Sequence, residues 1–451
     1  MRSSDAALKS QILAAFRQEP DFAITDSLHR ASASQHRNLL RWLDESGLAL
    51  YFLDRFYQHS VVDRLPTTFR DALEQRLTSN RARTADMFEE FRRILAAFHD
   101  REVRFSVLKG FSLVPDFCPA PHLRHQTDVD FLIAPENLPL ASRAPESLGY
   151  AQTELRATGQ LTFATPLLHV PTAEDDIYAR PRHREVDLLP TLNLDFHGAT
   201  LQIPTNQLDR SQSASLYNVG FPALAPDDAF SLQVLHTFSH FLGSWIRLSW
   251  LIEIANFLNA HHQDTALWKS VVARQNSHAT NRQAFGLILS LTNSLFSTKI
   301  PEPLDEWCLQ PLPVPIATWV TQFGQRFAQA DLHGTKLTLF VHREFFDDRR
   351  AWRPYLLTRL FPAGRRSSIG SVSTADSGAR IRANVSQWLH SMRRVLFHAR
   401  ELLSFPMEAI RWRRAVRNAR RQRALVPPHS DSARSAKPSA NSLSGLARLP
   451  D

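Results

Sequence analysis

Apolar residues recur at three- and four-residue spacings through the first hundred positions of this chain, and glycines are few there, so residues 1–98 predict a helical region. The clearest stripe is Met87, Phe88, Phe91, Ile94, Leu95 and Phe98, with Glu89, Glu90, Arg92 and Arg93 on the other side, and it predicts a helix over 84–98. The period changes at Val103. Val103-Arg-Phe-Ser-Val-Leu108 alternates and runs into Lys109-Gly110, the pattern of a strand handing over to a turn or helix start. A second strand is predicted over Val129–Ile133 and closed by Pro135, a short helix over 136–149 and stopped at Gly149, and a third strand over Glu185–Leu189 and ended by Pro190. Helical spacing returns at Pro226-Asp227-Asp228, which has the form of an N-cap with an acidic first turn. The firmest helices there are at about 228–242 and 245–261, with weaker ones to about 330. Residues 363–378 suggest an exposed loop, a last helical region spans about 379–424, and the Ser/Pro/Ala-rich end 426–451 predicts a disordered tail. No internal repeat is visible.

Composition narrows the class. The chain has 451 residues, 43% of them hydrophobic and 22% charged, which is globular composition with material for about three structural units. Cys118 and Cys308 lie far apart, too few for a disulfide framework or a structural zinc site, and fit a reducing compartment. Gln11 and Arg17 interrupt what a signal peptide would need as an apolar run, and no window offers 18 uncharged apolar residues. The expectation is a cytoplasmic protein with no transmembrane segment. The formal charge is +9, but seven excess positives sit at Arg411, Arg413, Arg414, Arg417, Arg420, Arg421 and Arg423; residues 424–451 add one, leaving about one for residues 1–410. The high pI therefore describes one segment, unlike the distributed basic face of a nucleic-acid-binding body.

The strongest chemical signal is Thr127-Asp128-Val129-Asp130-Phe131-Leu132-Ile133. On a strand, residues two apart share a face, so Asp128 and Asp130 project together and repel. A divalent ion would remove that repulsion, and Mg²⁺ takes a few carboxylates plus phosphate oxygens. A strand end with two solvated acids is the plain alternative. The surroundings raise the metal reading: Leu108-Lys109-Gly110 stands about twenty residues upstream, and Val186-Asp187-Leu188 puts one acid inside a later apolar strand.

A glycine turn, a paired-acid strand and a lone-acid strand in this order resemble the polymerase-β-like nucleotidyltransferase superfamily. The resemblance is closer to the branch whose motifs are Leu-Lys-Gly and Arg-x-x-x-Asp-apolar-Asp, here Leu108-Lys109-Gly110 and Arg124-His-Gln-Thr-Asp128-Val-Asp130. That branch also carries a helix before the Lys-Gly turn, here 84–98, and behind it spaced histidines with an Arg-Leu-x-Trp-Leu segment, here His236, His240 and Arg247-Leu-Ser-Trp250-Leu. The similarity spans about residues 80–260. Two features depart from it. The branch's third motif commonly reads Asp-Leu-His-Trp, whereas this chain has Asp187-Leu188-Leu189-Pro190, and the turn reads Gly110-Phe111-Ser112 in place of the superfamily's Gly-Ser or Gly-Gly.

The resemblance implies an α+β fold, a small mixed-sheet nucleotidyltransferase core flanked by helical regions. The implied division is 1–98 helical, 99–205 core, 206–330 helical and packed on the core, 331–425 helical with a basic amphipathic end, and 426–451 tail. It implies two-metal transfer of a nucleoside monophosphate from an NTP, with Mg²⁺ or Mn²⁺, to an unknown hydroxyl or phosphate acceptor. Asp128, Asp130 and Asp187 would be the catalytic and metal-binding residues, with Asp187 also able to take the acceptor's proton. Lys109, Gly110, Ser112 and Arg124 would contact the nucleotide, Arg124 equally being a salt-bridge partner holding the strand. The rival reading is a catalytically inactive nucleotide-binding or scaffold protein on the same fold, which the altered third motif favours and the three retained acids disfavour.

Other signals are weaker. His236 and His240 have metal-competent spacing, but without the Glu of His-Glu-x-x-His they read as core or acceptor-side histidines. His261-His262 ends a helix, where imidazolium is favourable. P-loop, nucleophile-elbow and Rossmann motifs are absent from the sequence. In Arg411–Arg423, Trp412, Ala415, Val416 and Ala419 form a narrow stripe with arginines on the remaining face. Such a helix suits an anionic partner, whether membrane surface, nucleic acid or acidic protein, or simply packs by its stripe with a solvated basic face.

Overall fold

The fold was analysed in a computed structural model, which describes residues 3–165, 177–178, 184–331, 335–346, 349–360 and 377–425. Its centre is a seven-stranded mixed sheet of β1 (Phe105–Val107), β2 (Asp128–Ile133), β3 (Ala151–Leu155), β4 (Leu161–Ala164), β5 (Glu185–Leu189), β6 (Gln212–Leu216) and β7 (Val219–Ala223), in the order β3-β4-β5-β2-β1-β7-β6. β2 runs parallel to β5 and β1 parallel to β7; the remaining neighbours are antiparallel. Eleven helices of ten or more residues surround it among the described residues: α1 (Ser3–Ala14), α2 (Ala33–Ser46), α3 (Ala49–Gln58), α4 (Thr67–Asp100), α5 (Pro226–Leu242), α6 (Leu248–Ala260), α7 (Thr265–Gln275), α8 (Ala279–Phe296), α9 (Val314–Ala328), α10 (Arg349–Leu360) and α11 (Ser377–Leu425).

Strand alternation divides the sheet into two unlike faces. Val129, Phe131, Ile133, Phe163, Val186 and Leu188 pack against Met87, Phe91, Ile94 and Phe98 of α4. Phe91 is the hub, with ring centroids 5.0 Å from Phe111, 5.3 Å from Phe221 and 6.0 Å from Phe131. The other face carries the acids, and there a small cluster of Leu108, Leu132, Leu224 and Leu232 fastens α5 to the sheet. The helices before the sheet and those after it form one core: Trp42, Phe52 and Phe69 belong to the same cluster as Phe238, Trp268, Phe285 and Trp319.

Several expectations change. The helix of 84–98 is the end of a 34-residue helix. The 136–149 helix is a 3-10 turn and two short helical segments, Leu138–Ala141 and Arg143–Ser147, broken at Ser142, where Pro145 lacks the N–H that would reach back to Ala141. Asp227 and Asp228 do not cap α5, whose N-cap is Ala225; Arg210 pairs with both, at 2.7 and 2.9 Å, and Arg274 pairs with Asp228 at 2.7 Å. β3, β4, β6 and β7 are additional to the expected strands, and the last two carry the sheet past residue 205. Most of the expected 363–378 loop and all of the 426–451 tail lie outside the described residues.

One buried group makes acid stability predictable. His342 is fully buried against Tyr355, Phe346 and Trp352, and burial, reinforced by Arg359 and His197, holds its imidazole down to about 3. The unfolded chain therefore takes up the proton first, so this contribution is complete above pH ~6.5 and lost as pH falls toward 3. Chemical unfolding at pH 7 and pH 5 is expected to differ by roughly 2 kcal/mol on account of His342 alone, and His342→Leu should remove that difference.

Candidate active site

The acidic face is assembled where β1 ends and β2 and β5 begin. Beyond β1, Leu108 N–H still donates to Asp130 O at 3.1 Å, Lys109 is extended, and the chain turns at Gly110 with φ +68°. A Cβ at Gly110 would stand 3.0 Å from Gln126 Oε1, so both conformation and space call for glycine. On β2 and β5 the parallel register sets Asp128 opposite Glu185 and Asp130 opposite Asp187. On β5's other side Thr162 of β4 lies opposite Asp187 and donates its hydroxyl to Asp187 Oδ1 at 2.5 Å. Lys109 Nζ stands 3.2 Å from Asp130 Oδ2.

Asp130 is the electrostatic centre, only 7% exposed. Burial pushes its carboxyl up to about 6, and Asp128 and Asp187 add to the rise while Lys109 opposes it. That mutual influence ties the three acids to one locality, as the register does. Among the described residues no group of three His, Cys, Asp or Glu side chains is arranged to hold a metal ion. As they stand, the acids are satisfied by the chain's own donors, Asp130 by Lys109 and Asp187 by Thr162.

The segment that delivers β2 has little regular structure and is held by side chains from the helices. Asn80 of α4 donates to the carbonyls of His122 and Arg124 at 2.7 and 3.2 Å, and Arg247, at the start of α6, donates to His125 O at 3.0 Å. Arg124 itself is engaged with a carboxylate: its Nε lies 3.1 Å from Glu253 Oε1, the salt-bridge arrangement, and the charge of Asp128 acts on it as well. Glu253 is 0% exposed and also accepts from Tyr51 at 3.2 Å and from Gln233 at 2.7 Å. Its carboxyl is raised by burial, against the attraction of Arg124.

α5 covers the acidic face. Beyond Leu232, the residues one and two turns on are His236 and His240, whose rings lie 4.7 Å apart and 4.8 and 4.7 Å from Trp250. Burial, then the charge of Lys109, holds His240 down to about 4 and His236 well below its ordinary value, so both imidazoles are neutral at physiological pH. Gln160, just before β4, lines an open cleft of about 450 Å³ with Arg156, Thr158 and the Asn193–Ala199 segment.

Of the residues expected to contact nucleotide, Lys109 stands on the acids, Gly110 forms the turn, Ser112 Oγ faces the carbonyl of Lys109 at 3.4 Å, and Arg124 is engaged with Glu253. Thr162 and Glu253 are additions to the site that sequence reasoning missed. Thr162 lies on a strand too short to be visible, whereas Glu253 left a signal, a lone acid inside Leu251-Ile252-Glu253-Ile254.

The family described as uncharacterised nucleotidyltransferase matches residues 32–297. The matched span begins at the N-cap of α2 and ends at the C-cap of α8, enclosing the sheet and the helices on both of its sides. No curated protein and no solved structure matches the chain.

The Arg124–Glu253 pair yields a stability prediction. Removing either partner leaves a buried charge uncompensated, so Glu253→Ala and Arg124→Ala should each cost about 3–5 kcal/mol in urea unfolding. Replacing both with apolar residues, Arg124→Met with Glu253→Leu, should cost much less than the sum of the singles. Additive losses would show that the two side chains do not act as a pair.

Proposed function

This chain belongs to the uncharacterised nucleotidyltransferase family, and on that premise we propose that it transfers a nucleoside monophosphate from an NTP to a hydroxyl or phosphate acceptor, releasing pyrophosphate, with Mg²⁺ or Mn²⁺ as cofactor. The observation that carries this reading is the register: Asp130 faces Asp187 across neighbouring parallel strands, Asp128 projects on the same face, and Lys109 stands against Asp130.

The residue types suit a divalent ion, although in this structure the chain's own donors hold the acids and they are not gathered as a ligand set. Three carboxylates on two strands, one of them almost wholly buried among like charges, form the hard oxygen donor set that Mg²⁺ shares with phosphate oxygens. Asp128, Asp130 and Asp187 would hold it, and when bound it would supply charge stabilisation for the attacking and leaving oxygens. Lys109, freed from Asp130, offers a point charge to a phosphate oxygen. The turn at Gly110 is where backbone N–H groups would meet the phosphates once the Gln126 side chain packed against the glycine moves aside. The acceptor oxygen bonds to the α-phosphorus, the bond from that phosphorus to the bridging oxygen breaks, and a hydroxyl acceptor's proton passes to Asp187. We assign the acceptor to the open cleft lined by Arg156, Gln160 and His197.

A second reading, nucleotide binding or scaffolding without turnover, is favoured by the contacts that satisfy Asp130 and Asp187 without a metal and by Leu189-Pro190 in the third motif. One set of measurements separates the two. Purified protein incubated with each radiolabelled NTP, Mg²⁺ or Mn²⁺ and cell extract should yield a labelled product, and Asp130→Asn or Asp187→Asn should lower its formation by about a thousandfold. In thermal unfolding the wild type should gain about 2.7 kcal/mol with Mg²⁺-NTP at a hundred times the dissociation constant, and Asp130→Asn should lose that gain. A gain without product supports the second reading. An equal gain in EDTA would refute the metal role of these aspartates.

A further inference from the structure

α11 lies outside the span matched by the family, and it is built with two unlike sides. One side is anchored. Phe405, Ala409 and Trp412 pack on the helical core, Trp412 lying 6.0 Å from Phe323 and 6.2 Å from Phe340 between ring centroids. Glu408 pairs with Arg326 at 3.0 Å, Glu401 accepts from Thr335 at 3.2 Å, and Arg423 donates to Leu312 O at 3.1 Å.

The opposite side is exposed and apolar. At 100° per residue Trp388, Met392, Leu396, Leu403, Met407 and Ile410 fall within an arc of about 100°. Trp388 is 61% exposed, Leu396 64% and Leu403 85%, far above what large apolar side chains need to be in a well-packed helix. Arg414, Arg417 and Arg421 fall on the same arc and extend the line, which is about 50 Å long from Trp388 to Arg421. The helix carries only two acids, Glu401 and Glu408, and both are turned to the anchored side. The outward line is therefore aliphatic and aromatic for two thirds of its length and purely cationic beyond.

We propose that the outward face of α11 docks on an anionic membrane surface. Aliphatic side chains lying in the headgroup boundary beside arginines at the phosphate level form a two-part contact in which each part is weak alone. The charge pattern argues for this occupant over others. Nucleic acid has no use for Leu396, Leu403 and Ile410. A parallel second copy would set arginine line against arginine line, and an antiparallel one would bury the arginines on the apolar stretch. No helix among the described residues is long and apolar enough to cross a membrane, so the helix lies on the surface.

The test uses the full chain and flotation with vesicles of phosphatidylcholine, with or without about 30% phosphatidylserine. Binding is expected to the anionic vesicles only. Leu396→Asp with Leu403→Asp, and separately Arg414→Gln with Arg417→Gln and Arg421→Gln, should each weaken it by at least about a hundredfold while leaving thermal unfolding at the wild-type temperature. Point substitutions are used because truncation would strip Trp412 from the core. Should the double aspartate variant not fold, Trp388→Ser provides the apolar arm, and loss of a vesicle-induced blue shift in Trp388→Phe gives an independent readout. The proposal is overturned by absence of vesicle binding, by binding that ignores the apolar substitutions, by tighter binding to RNA or DNA than to vesicles, or by a solution dimer that Leu403→Asp dissociates.

Discussion

Arg124 meets Glu253 at a carboxylate that water does not reach, and the site's geometry depends on that encounter. The ten residues before β2 have almost no strand or helix hydrogen bonding of their own, so their path is set by what receives their polar groups. Arg124 reaches a carboxylate with no exposed surface, Asn80 holds two carbonyls of the segment and Arg247 a third. A buried ion pair adds little net stability compared with apolar packing, but it tolerates few alternatives, because a misplaced segment would leave a charge buried without a partner. The pair therefore acts on register more than on stability. It fixes where Asp128 enters β2, and a slip of one residue there would turn both acids of that strand to the opposite face.

The acids carry their own conflict. Asp130 lies among Asp128, Asp187 and a low-dielectric surround, and Lys109 only partly offsets them. A sheet selected for stability alone would place a leucine there, as the chain does two residues on at Leu132. Strain of this kind persists only where the surrounding structure over-determines it. Here that structure is extensive: an aromatic layer on one face, α5 on the other, and parallel pairing from Asp128 to Leu132.

How much of this was legible follows from how local each signal is. β2 and β5 were visible because Val129, Phe131, Val186 and Leu188 alternate with acids, and the period-2 pattern and the motif coincide in one stretch. β3 was not, since Ala151-Gln-Thr-Glu-Leu155 is exposed at every position and carries no buried face to betray it. β7 contains Gly220 and Pro222, which read as turn residues; it is a strand because β1 and β6 pair with it. Arg124 illustrates a different limit. Its place in the motif was plain, but whether it met a phosphate or a carboxylate depended on Glu253, 129 residues away, and no local pattern reaches that far.

The shared helical core has a consequence for the order in which the molecule comes into being. A nascent chain that has emerged through β7 already holds every acid, the Lys-Gly turn and all seven strands, yet neither Gln233, Arg247 nor Glu253 has been made. Trp42, Phe52 and Phe69 must meanwhile wait for partners in α5 to α9, exposing apolar surface over a span of more than two hundred residues. The acidic face is therefore aimed only after α6 has been made, although all of its strands precede that helix. Until α6 leaves the ribosome, a half-made protein carries the acids without the clamp that aims them.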